Sequence, residues 1–172
     1  SNGRCLLKDL FEGRFPDMVL SNLTIEQIAF AICRGGWPAS VRMKGDDALE
    51  LSRDYVDAII HQDVSRVDGI ERNPKRVQLV LRSLARNVAT TATNVTILKD
   101  MEGDESAITA PTLDAYLNAL RRIFVIEDQP AWLPSMRSKT AIRTASKRHF
   151  TDPSIATAVL RTSPKGLLED FN

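Results

Sequence analysis

Apolar positions along the chain follow a helical period for most of its length and shift to a shorter one only near residue 124. "IEQIAFAICRGG" predicts a short helix, with Ser21 or Thr24 placed to cap it and Gly35-Gly36 to end it. After the turn in "GGWPASV", Asp46 or Asp47 can cap "ALELSRDYVDAIIHQDVSRV". There Leu51, Tyr55, Ile59 and Ile60 line one face and Arg53 faces Asp57 a turn later. This predicts a long amphipathic helix, and "DGIERNP" breaks it. From Pro74 onward Val77, Val80, Leu81, Leu84, Ala85 and Val88 form the stripe of a helix packed on one side. "TTATN" interrupts before a second helix, "VTILKDM", with Ile97, Leu98 and Met101 apolar. The turn "EGDESAIT" leads to a third, "APTLDAYLNALRRIF". It buries Leu113, Tyr116, Leu117 and Leu120, with Thr109 as a cap and Pro111 in the first turn.

The period then changes. "FVIEDQ" and "KRHFTDP" are short β-prone runs joined by a Pro-, Ser- and Arg-rich stretch, and Pro153 or Ser154 begins a last short helix, "SIATAVL". The expected fold is mainly α with a small β-wing, a helical segment followed by a winged helix-turn-helix. The expected boundaries are a helical adaptor over 1–70, the winged helix over 74–160, and the start of a truncated C-terminal domain over 161–172.

"RRIFVIEDQPAW" poses a chemical question, because four apolar residues followed by two acids is also the pattern of an ATPase strand carrying metal and water acids. Such a strand works beside a Gly-rich loop ending in Gly-Lys-Ser/Thr, which holds the phosphates. The chain contains no Gly-Lys dipeptide, so Glu127 and Asp128 are read as the end of a wing strand entering the Gln129-Pro130 turn. His61 and His149 have no second histidine or cysteine at metal-ligand spacing. No nucleophile elbow and no H-E-x-x-H helix is present. Catalytic, cofactor and metal residues are therefore expected to be none, and Trp37 and Trp132, each beside a proline, are read as hinge-packing residues.

Composition adds limits. The 172 residues carry 23 basic and 22 acidic side chains, so no global charge draws the chain to nucleic acid or membrane. Two cysteines, Cys5 and Cys33, are too few for a disulfide framework or a zinc site, which favours a reduced, cytoplasmic setting. No apolar run approaches the roughly 20 residues that span a bilayer. The missing initiator Met and an end inside an apolar pattern predict a piece of a longer protein.

One local feature remains. From Gln129 to Thr151 there is no acid, while Arg137, Lys139, Arg143, Lys147 and Arg148 lie on the expected wing, and Arg121 and Arg122 close the helix before it. These seven residues are the candidates for contact with nucleic acid or an acidic partner. Against DNA stands Asp114, which shares the exposed face of the third helix with Thr112 and Asn118 and repels phosphate. A solvated or protein-facing wing is the competing reading.

"LKDLFEG", "RGGWPASV", "SRDYVDAIIHQDVSRVDG", "LRSLARNVAT", "DAYLNALRRIFVIEDQPAW" and "LRTSPKGLLEDF" together resemble the region that follows the ATPase module in a large family of prokaryotic AAA-like P-loop ATPases. There it is a domain of unknown function, and the likeness runs over nearly the whole chain. The resemblance implies an N-terminal ATP-binding module, then this helical segment and winged helix, then a nuclease-like fold beginning near "KGLLEDFN". ATP and Mg are then expected only in the missing module. The ATPase and nuclease-like domains of the same chain are the implied partners, with DNA or an acidic protein as further ones. The region itself is expected to be a non-catalytic regulatory module or, alternatively, a DNA-binding one.

Overall fold

The computed structural model describes residues 6–14, 21–132 and 145–170. Helix α1 (Leu6–Phe11) precedes α2 (Ile25–Arg34), whose start is fixed reciprocally. The Gln27 N–H donates to the Thr24 hydroxyl, and the Gln27 side chain accepts from the Thr24 N–H. Ser21 serves the preceding turn instead, its hydroxyl accepting from the Leu23 N–H. Helix α2 stops at Gly35, where φ 74° and ψ −176° fall in a region almost confined to glycine.

Helix α3 (Asp47–Ala58) runs on through a π-helical turn (Ile59–Asp63) into α4 (Val64–Arg66), so the long helix is present but wound wider near its end. Asp46 holds the N-cap position without a side-chain capping bond. Its buried face is displaced from the expected one. Ala48, Leu49, Ser52, Val56 and Ile59 are buried, while Leu51, Tyr55 and Ile60 are half-buried. The cause is close approach to α2: the Ser52 hydroxyl donates to the Leu49 carbonyl at 2.9 Å and lies 3.5 Å from that of Cys33. Small residues allow that contact, and a large apolar side chain would hold the helices apart. Arg53 pairs with Glu50 rather than Asp57, because helical side chains lean toward the N-terminus.

Helices α5 (Pro74–Arg86), α6 (Asn94–Asp100) and α7 (Ala110–Arg122) come next, followed by strands β1 (Ile126–Gln129) and β2 (Lys147–Phe150). The strands are antiparallel, with Ile126 opposite Phe150 and Asp128 opposite Arg148. Thr90, between α5 and α6, adds a single-residue bridge to the other edge of β2. The Ala89 N–H donates to the Arg148 carbonyl (2.9 Å) and the Arg148 N–H to that of Thr90 (3.2 Å). Three helices, a one-residue edge after the first and a hairpin after the third make a winged helix-turn-helix. The expected stripes of α5 and α7 are buried, as are Ile97 and Met101. Val88 is the exception at 39% exposed, since α5 ends at Arg86 and leaves it past the cap.

Two helices close the described chain, α8 (Pro153–Leu160) and α9 (Pro164–Glu169). Helix α8 packs on α2, α3 and α5 and touches β2, while α9 lies on α2. One core therefore takes Val56, Ile59 and Val64 from before residues 67–73 and Val77, Leu81 and Ile155 from after them. Fully burying a side chain such as Ile155 contributes about 2 kcal/mol.

The segment over 67–73 is itself tied down by a buried arginine. Arg72 donates to both carboxylate oxygens of Asp68 (2.8 and 2.7 Å) and to the Val64 carbonyl (2.6 Å), and lies 5.6 Å from the Tyr116 ring centroid. No helix among the described residues is long and apolar enough to cross a membrane.

Candidate recognition face of the winged helix

The third helix and the root of the wing meet at one carboxylate. The cross-strand register sets Asp128 against Arg148, whose Nε–H donates to Asp128 Oδ1 at 2.8 Å. From the last turn of α7, Arg121 donates through Nε–H to Asp128 Oδ2 at 2.8 Å, with its Nη2 at 2.6 Å. The same guanidinium donates through Nη1 to Asn118 Oδ1 at 3.0 Å. On the other side Arg148 Nη1 reaches Asn94 Oδ1 at 3.5 Å, and Asn94 donates through Nδ2 to Asp114 Oδ1 at 2.7 Å. A chain of polar contacts thus runs from Asp114 through Asn94, Arg148, Asp128 and Arg121 to Asn118.

Its electrostatics follow from the members. Two guanidinium groups and two carboxylates sum to zero charge. Partial burial pushes the Asp128 carboxyl upward, but the hydrogen bonds from Arg148 and Arg121 outweigh it and hold the group below the usual carboxylate range. Asp128 is thus an ionised acceptor with both oxygens occupied, a poor general acid and a poor base.

The sequence candidates separate accordingly. Arg121 and Arg148 are brought together, but on Asp128 rather than facing outward for a phosphate. Arg122 and Lys147 are exposed and make no ion pair among the described residues. Arg137, Lys139 and Arg143 lie outside the described residues. Asp128, Asn94 and Asp114 were not singled out as parts of one site, and no spacing rule links them: they come from a strand, the start of α6 and the middle of α7. Exposed apolar residues next in sequence to these elements include Val95, beside Asn94, Phe124, just past α7, and Trp132, beyond the outer end of β1. Phe124 is 78% exposed and sits at φ 57°, a left-handed conformation that glycine adopts at less cost.

His149 stands opposite Glu127, and His61 Nδ1 lies 3.2 Å from Asp57 Oδ1. Among the described residues no group of three or more His, Cys, Asp or Glu side chains is arranged to hold a metal. A family model described as a domain of unknown function, DUF8612, matches residues 25–166. The chain belongs to that family. The description assigns DUF8612 no activity and ties it to no ATPase, and no curated protein and no solved structure matches the chain.

Within this DUF8612 region the "RGGWPASV" segment is a structural joint. The Gly36 N–H donates to Asp152 Oδ2 (2.8 Å) and the Trp37 indole N–H to Ser154 Oγ (2.9 Å), across more than a hundred residues of sequence. Asp152 also caps α8, accepting from the Ser154 N–H. A Cβ on Gly35 would stand 2.4 Å from Asp152 Oδ1 and 2.5 Å from Ser154 Oγ. Trp37 packs on Tyr55 with ring centroids 4.7 Å apart, which fits the packing role expected for it. Trp132, by contrast, is 85% exposed and packs at no such joint.

Proposed function

We propose that this DUF8612 region is a non-catalytic docking module whose winged helix meets a protein surface rather than a nucleic-acid backbone. The observation that carries this reading is the closed network on Asp128. A DNA-binding winged helix needs α7 and the wing root to offer cations to phosphates, whereas here Arg121 and Arg148 are neutralised within the molecule. The exposed apolar residues next in sequence to these elements include Val95, Phe124 and Trp132, and aromatic residues are among the types enriched in protein interfaces. On the resemblance to the region after a P-loop ATPase module, the surface met is another domain of the same longer chain. ATP and Mg then belong to that domain and not to these residues.

The runner-up is a DNA contact through Arg122 and Lys147, favoured by their exposure without ion-pair partners among the described residues. Fluorescence anisotropy with labelled duplex DNA at low and physiological salt separates the two. The docking reading expects no salt-dependent binding. Binding that falls steeply with salt and disappears in the R122Q/K147Q double variant overturns it in favour of DNA.

A further inference from the structure

A cleft of about 700 Å³ opens where α3, the start of α5 and the end of α8 come together, and it shares no residue with the Asp128 network. Its size falls in the range of small-molecule sites, roughly 300 to 1,000 Å³. Val56, Ile60 and Val159 give it an apolar side, and Arg53, Lys75 and Arg161 give it cations.

Two irregularities of the backbone converge on this cleft. The π-helical turn Ile59–Asp63 carries Ile60 and His61 into its wall, and such turns recur at functional sites. Arg161, which ends α8, is held at φ 55° and ψ 34°, where a glycine would rest more easily.

The charges can be sorted by their partners. Arg53 is answered by Glu50, Lys75 by Asp104 at 3.4 Å, and Asp57 lies beside His61. Arg161 is the lining cation that makes no ion pair among the described residues, and Asp54 is the lining acid in the same position. An anionic group is attracted to Arg161, whose fork matches a carboxylate in two bonds. Asp54 and Asp57 offset two of the cations Arg53, Lys75 and Arg161, so the lining keeps one net positive charge, which a single carboxylate balances and a dianion exceeds. We propose that the cleft binds a small organic monoanion, a carboxylate on an apolar body, with Arg161 holding the carboxylate and Val56, Ile60 and Val159 covering the body.

The test is a titration of the whole 172-residue chain with benzoate, phenyl phosphate and benzylamine, followed by ¹H–¹⁵N NMR. Benzoate is expected to give saturable shifts centred on Ile60, His61, Lys75 and Val159. R161G keeps the left-handed backbone and removes the guanidinium, and it is expected to weaken binding about tenfold, the loss of one charge-assisted pair. K165Q, an exposed charge on α9 outside the cleft, is expected to leave it unchanged. No saturable shift at millimolar benzoate, shifts unaltered in R161G, or equal binding of benzylamine overturns the proposal. Tighter binding of phenyl phosphate than of benzoate overturns the choice of a monoanion.

Discussion

Two polar junctions connect distant parts of this chain, and they differ in what surrounds them. At the Gly35–Trp37 joint, backbone N–H, indole and hydroxyl groups meet Asp152 and Ser154, and both Gly35 and Ser154 are buried. At the wing root, guanidinium groups meet Asp128, whose side chain keeps 28% of its surface in water. The first junction joins neutral donors, one of them a backbone N–H, to two short side chains, and at Gly35 it has no space to relax. The second joins long, charged side chains that solvent can reach and salt can screen. Similar counts of hydrogen bonds therefore carry different weights: the first holds the fold, and the second sets the charge of a surface.

The hardest test of the contrast is Gly35→Ala. Its backbone region is almost closed to other residues, and the new Cβ would collide with Asp152 and Ser154, so a loss of about 3 kcal/mol is expected in chemical denaturation. Gly45→Ala is the internal reference, because Gly45 also has positive φ (63°) but nothing within 4 Å of the added Cβ; there the loss is about 1 kcal/mol. Equal losses at the two positions would show that the joint is not sterically tight.

Arg72 provides an intermediate case, a charged group inside the core side of the molecule. In R72M the Val64 and Ile70 carbonyls lose their donor, and about 2 kcal/mol of stability is expected to go at neutral pH. The pH dependence follows from its partner. Hydrogen bonding from Arg72 holds the Asp68 carboxyl far below its ordinary range, against a smaller upward push from burial. A group depressed in the folded state binds protons more readily when unfolded. Its contribution is thus complete above the unfolded value, near 4, and is lost as the pH falls from there toward the folded value. Acid titrations followed by circular dichroism should show that decline in the native chain and a shallower one in R72M. An unchanged acid profile in R72M would remove the pair from the account.

The same contrast explains how much could be read from the sequence. The stripes of α5 and α7 were legible because large aliphatic residues mark a buried face, and the wing was legible because the period changes at Phe124. The face of α3 was misplaced because its buried residues include Ala48 and Ser52, the latter set against Cys33 of α2, and hydrophobic counting ignores such small residues. The Arg72 tie passed as a simple helix break, since a buried arginine looks like any other charge until its partners are placed. The Asp128 network was hidden for a different reason. Its members meet only through the register of β1 on β2, and a pattern of residue types does not set which residue of one strand faces which of the other.

The smallest expected change in stability carries the most information about the wing. Asp128→Asn keeps a side chain of the same shape opposite Arg148 but removes the charge that Arg121 and Arg148 share, so the network passes from neutral to one net positive charge. Because the group is partly in water, about 0.5 kcal/mol of stability is expected to be lost. Its effect on binding should be larger. If neutralisation at Asp128 is what keeps phosphate away, D128N gains weak, sequence-independent affinity for duplex DNA at low salt that vanishes at physiological salt, while the native chain shows none. Failure of both proteins to bind would mean that charge balance is not the barrier, leaving Asp114 on α7 and the exposed apolar residues as the groups that turn this face toward a protein. Native binding equal to that of D128N would break the comparison, since the carboxylate would then not be shielding the two arginines.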